Sequence, residues 1–118
     1  MERENAIREK SYKFSLRIVK LYKFLVENKK EYVLSKQVLR SGTSIGANIE
    51  EAVGSSSKKD FVNKLYIAHK EAREINYWIR LLKDSEYLPE KLAESFIYDC
   101  NEILKISGKI ISTSKKSI

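Results

Sequence analysis

The chain has one cysteine, one histidine, one proline and four glycines among its 118 residues. A single thiol, Cys100, forms no intrachain disulfide, and one cysteine with one histidine is too few for a zinc cluster. So little glycine and proline argues against a many-turned β sandwich or barrel. No apolar run approaches the length of a membrane span. The opening residues mix both charge signs and lack the apolar core of a signal peptide. These absences place the expected protein in a reduced cytoplasm, away from membranes. What remains is 42% hydrophobic and 33% charged, too apolar for a disordered chain. The length, residues 1–118, suits a single domain that buries roughly two thirds of its unfolded surface.

Charge is unevenly placed. Lys and Arg number 23 and Asp and Glu 16, a net +7. Residues 1–59 hold 13 basic and 7 acidic side chains, and residues 60–118 hold 10 and 9. Between Lys10 and Lys30 stand seven basic residues and one acid, Glu27. A concentrated excess points to an anionic partner more than a uniform one does, though a solvated helix face has the same look.

Hydrophobic spacing predicts four helices, over about 12–28, 36–54, 58–85 and 89–112. In the first, Phe14, Ile18, Leu21, Tyr22 and Leu25 form one stripe, with Ser11 as its cap. Tyr12, Val19 and Val26 make a second row, more apolar surface than a monomeric bundle usually buries. Ser35 is the expected cap of the second helix, whose apolar face is Val38, Ile45, Ile49 and Ala52. Gly42 and Gly46, four apart, allow a neighbouring backbone to come close. Ser57 and Asp60 have capping-box-like spacing. Phe61, Leu65, Ala68, Ala72, Ile75, Ile79 and Leu82 then alternate steps of four and three, the seam of near-parallel or antiparallel packing. Pro89 suits the first turn of the fourth helix, where Leu92, Phe96, Ile103, Ile106 and Ile110 run beside Ala93, Ile97, Cys100, Leu104 and Ile111. Short connections favour antiparallel neighbours, hence an all-α, up-down-up-down four-helix bundle.

Residues that carry chemistry are sparse. A di-iron bundle needs Glu-x-x-His pairs, and the residue three before His69 is Tyr66. Cys100 lies in an apolar row, the setting of a structural thiol. Glu50, Glu51, Glu71 and Glu74 offer carboxylates, but Lys70 and Glu74 have salt-bridge spacing. Ser44, Asn48 and Glu51 share a helix face that is expected to meet Arg73, Glu71 or Glu74 of the next helix and to fix register. Trp78 and the seven tyrosines could stack on exposed bases, but such residues are more often core-edge or interface groups, and Tyr77 and Trp78, flanking the seam, are the expected contact between copies. An enzyme using the Glu51, Glu71 and Glu74 carboxylates is a third reading, behind the two binding roles, and no cofactor or metal is indicated.

The run Leu39-Arg40-Ser41-Gly42-Thr43-Ser44-Ile45-Gly46-Ala47-Asn48-Ile49-Glu50-Glu51, followed by Ser57-Lys58-Lys59-Asp60-Phe61 and by Ala68-His69-Lys70-Glu71-Ala72-Arg73-Glu74 through Tyr77-Trp78-Ile79, resembles the four-helix-bundle proteins encoded by intervening sequences of bacterial 23S ribosomal RNA genes. Ser44, Ile45, Asn48, Ile49, Glu51, Glu71 and Glu74 fall on that family's motif positions. Ala52 stands where the family commonly has glycine, leaving the second helix free to run on. The resemblance implies a ring-like homopentamer without catalytic activity. It also implies a relation to the accessory protein of diversity-generating retroelements, which works with nucleic acid and a reverse transcriptase. The expected function is binding of RNA or DNA backbone by Lys10, Lys13, Arg17, Lys20 and Lys23, without base specificity. The alternative is a scaffold that binds another protein through its helices.

Overall fold

The computed structural model describes residues 2–116. It consists of α1 (Glu2–Glu27), α2 (Leu34–Val53), α3 (Lys58–Asp84) and α4 (Glu90–Lys115). Each helix packs on its sequence neighbour and α4 returns to α1, so α1 and α3 lie diagonally across a four-helix bundle. Contacts such as Arg8 with Glu50, His69 with Ser107 and Arg17 with Asp99 set neighbouring helices antiparallel.

α1 begins ten residues before its expected start. Ile7 is buried and extends the stripe of Phe14, Ile18, Leu21 and Leu25 by two turns, while Glu2 and Glu4 suit the positive end of the helix dipole. Ser11 is therefore not a cap. It is buried inside the helix, and its hydroxyl donates to the Arg8 carbonyl. The α2 start also differs from expectation. Ser35 is buried and its Oγ has no hydrogen-bond partner among the described residues. The cap is supplied by Glu31, whose carboxylate accepts from the backbone N–H groups of Val33, Leu34 and Ser35 at 3.2, 3.0 and 2.7 Å. Such charge-assisted bonds satisfy the orphan donors of a helix start.

The other ends follow local chemistry. Ser57 caps α3, its hydroxyl accepting from the Asp60 N–H. The chain leaves α3 through Glu86 at φ 68°, with Tyr87 N–H bonded to the Leu82 carbonyl and Glu86 N–H to that of Lys83. This is a Schellman closure made by a residue other than glycine. Pro89 sits just before α4 rather than in its first turn.

The core draws on all four helices, and the α3 seam from Leu65 to Leu82 is buried throughout. At Gly42 an added Cβ would lie 2.6 Å from Ile18 Cγ1, and at Gly46 it would lie 3.1 Å from Ser15 Oγ. The two glycines thus let α1 and α2 approach closely. On α4, Leu92 departs from its expected row and stands partly exposed at the α1 edge.

Candidate functional site

Cations collect along one helix junction of this bundle. Along the α1/α4 junction run three clefts in succession. The first is lined by Arg3, Glu102, Lys105, Ile106 and Lys109. The second is lined by Lys10, Lys13, Phe14, Tyr98, Asp99 and Glu102. The third is lined by Arg17, Lys20, Leu21, Phe24, Leu92 and Phe96. Together they present seven cations (Arg3, Lys10, Lys13, Arg17, Lys20, Lys105 and Lys109) against two carboxylates (Asp99 and Glu102). The seam therefore holds a local excess of +5, set beside the +7 of the whole chain.

The cations differ in how free they are. Arg17 donates to Asp99 at 2.7 Å, and its guanidinium carbon lies 4.0 Å from the Phe96 ring centroid. Lys13 pairs with Glu9 at 2.8 Å, which holds the Glu9 carboxyl below the usual carboxylate range. Lys10, Lys20 and Lys23 make no salt bridge among the described residues. Lys23 is exposed but does not line the seam. Arg3, Lys105 and Lys109 escaped the reading of the sequence. The spacing of Lys105 and Lys109 marks a shared helix face, but only packing reveals that this face adjoins α1.

The polar row on α2 behaves differently from expectation. Ser44 Oγ donates to the Arg40 carbonyl and Asn48 Nδ2 to the Ser44 carbonyl, both within the helix. Glu51 and Arg73 are both exposed. The residue that crosses to α3 is Arg40, which pairs with Glu71 at 2.8 Å and with Glu74. Trp78 Nε1 donates to Glu74 at 3.0 Å. That indole bond, followed by Arg40, keeps the Glu74 carboxyl below its ordinary range despite partial burial. Ile45 and Ile49, the apolar members of the same motif, are fully buried. Arg40 thus ties α2 to α3 by engaging two of the motif's acids, Glu71 and Glu74, while the third, Glu51, stands exposed.

The remaining reactive groups are likewise occupied. Cys100 Sγ donates to the Ala72 carbonyl at 3.0 Å, and burial pushes the thiol up to about 12. His69 Nδ1 lies 2.7 Å from Ser107 Oγ. Burial, then the charge of Arg73, lowers its pKa from the ordinary value, so the ring is neutral at pH 7. Among the described residues no three His, Cys, Asp or Glu side chains gather to hold a metal ion, and no helix is long and apolar enough to cross a membrane.

Outside the clefts, Tyr12, Leu16 and Val19 stand exposed on α1, and Tyr66, Ile67 and Tyr77 on α3. Trp78 is half-buried against the core and meets the Tyr77 ring edge-on, with centroids 5.0 Å apart.

The sequence profile of the family described as 23S rRNA-intervening sequence protein matches residues 3–109. A solved structure, of a protein of unknown function from the S23 ribosomal protein family of Bacteroides thetaiotaomicron, is 53% identical to this chain. The match covers 93% of this chain and 98% of that one, with a TM-score of 0.92. No curated protein matches the chain.

Proposed function

The chain belongs to the 23S rRNA-intervening sequence protein family, and from that premise we propose a non-enzymatic, self-assembling bundle that binds the RNA or DNA backbone through its α1/α4 seam. The observation that carries this reading is the excess of seven cations over two carboxylates along one helix junction. Lys10 and Lys20 make no salt bridge among the described residues, whereas Lys13 and Arg17 arrive partly neutralised by Glu9 and Asp99. Phosphate binding by such a surface gains mainly from counterion release and weakens steeply with salt.

Assembly into a homopentamer, implied by the family, draws support from the two exposed apolar faces. These faces sit on α1 and α3, which are diagonal helices. Contact between unlike faces is heterologous, and heterologous contacts generate rings when the rotation closes. A ring would repeat the basic seam once per protomer and strengthen weak contacts by avidity.

The test is anisotropy of a labelled RNA titrated with the intact protein across a salt series, alongside its mass by light scattering. Lys10→Glu, Lys20→Glu and Lys109→Glu together should abolish binding and leave fold and mass unchanged. Arg17 is left intact because it also packs on Phe96. A wild-type protein that retains no RNA or DNA at low salt overturns the reading. Nuclease-insensitive capture of one protein partner by that same protein would instead favour the scaffold.

A further inference from the structure

Two of the three clefts set an aromatic or apolar bed beside one lysine, Lys20 or Lys10, that makes no salt bridge among the described residues. The third cleft, of 340 Å³, is floored by Leu21, Phe24, Leu92 and Phe96, with Arg17 and Lys20 as its charged members. Its Arg17 guanidinium is fixed from one side by Phe96 and at one edge by Asp99, yet the side chain keeps 31% of its surface exposed. A planar cation held in this way offers its outer face to a second ring. The second cleft sets Tyr98, 66% exposed, beside Lys10 and Lys13, with Asp99 and Glu102 on its α4 side.

We propose that this seam takes single-stranded nucleic acid, seating unstacked bases in the Phe24–Leu92 cleft and on Tyr98 while the lysines hold the flanking phosphates. The proposal rests on the reading of the seam as a polyanion site and narrows its ligand. Successive aromatic beds along a cationic track are how single strands are held without base-edge readout. A duplex keeps its bases stacked inside and offers this track only phosphates. A small amphiphilic anion would use one cleft and leave the repeat unexplained. A helix from a second copy needs a continuous apolar stripe, and Asp99 and Glu102 interrupt this one.

The experiment uses the full chain and three labelled probes at matched salt. They are a single strand of about 15 nucleotides, near the upper range of one binding site, an abasic strand of equal length, and the corresponding duplex. The base-bearing strand should bind about tenfold more tightly than the abasic one, as expected for one or two stacked bases. Leu92→Gln with Tyr98→Ala should bring that ratio close to one while the salt dependence stays unchanged. Both positions are exposed enough to spare the core. Equal affinity for base-bearing and abasic strands overturns the base cleft and leaves backbone binding standing. So does a duplex that binds as tightly as the single strand, or a ratio unmoved in the double variant. Failure of all three probes to bind overturns both readings.

Discussion

Replacing Gly42 by alanine tests the close approach of α1 and α2. The added methyl would lie 2.6, 2.8 and 2.8 Å from Ile18 Cγ1, Cδ1 and Cγ2. Ordinary carbon contacts are about 3.5–4.0 Å, so the overlap is about 1 Å. Ile18 is fully buried and has no solvent side to move toward. Overpacking of this kind costs about 1–3 kcal/mol. Against it stands the helix preference for Ala over Gly, about 1 kcal/mol in favour of the variant. The net expectation is a loss of about 0–2 kcal/mol. In an Ile18→Ala background the offending atoms are gone. Ile18→Ala alone should cost about 2–5 kcal/mol, and adding Gly42→Ala should then stabilise by about 1 kcal/mol. The assay is urea unfolding of the four proteins at one fixed protein concentration, since self-association shifts apparent stability. The reasoning is refuted if Gly42→Ala has the same effect in both backgrounds, because the close contact requires the pair to be coupled.

Other positions give independent checks. Glu31→Gln removes the charge that caps α2 through three N–H bonds. It should cost about 1–3 kcal/mol in the same unfolding assay. His69 has a folded-state pKa below its ordinary value of 6.5. Its neutral form therefore contributes stability that is fully present above that value and is lost as pH falls through the folded pKa. Unfolding curves across mildly acidic pH should show this loss, and Ser107→Ala should alter it, because Ser107 holds the ring. Glu74, also held low, adds a second loss beneath the usual carboxylate range. Cys100, buried with its thiol at about 12, should react with a disulfide reagent only in step with unfolding. Rapid reaction in the native state would contradict its placement.

Much of the fold was legible because α3 keeps an uninterrupted apolar rhythm from Leu65 to Leu82. The start of α1 was hidden by Ser11, a polar residue that is nonetheless buried and bonds to its own helix. The cap of α2 was hidden because glutamate caps it from outside the helix, where a serine was the expected acceptor. Ser44 and Asn48 lay on the face that spacing assigned them, but short polar side chains can satisfy themselves on the carbonyl four residues back. The long guanidinium of Arg40 reaches across instead. In the candidate site, Lys10, Lys13, Arg17 and Lys20 were legible as a charge cluster. That Arg17 is committed to Asp99, 82 residues away, and that Arg3, Lys105 and Lys109 join the same seam, depends on how α4 docks. Periodicity within one helix carries no record of that.

The most direct test of the cationic seam is the slope of log affinity against log salt for a single-stranded RNA, measured for wild type, Lys10→Gln and Lys20→Gln. Binding that weakens with salt by about 0.7 per neutralised phosphate, and loses about that much slope with each substitution, is the predicted result. Binding whose salt dependence is the same in all three proteins would contradict the assignment of the seam.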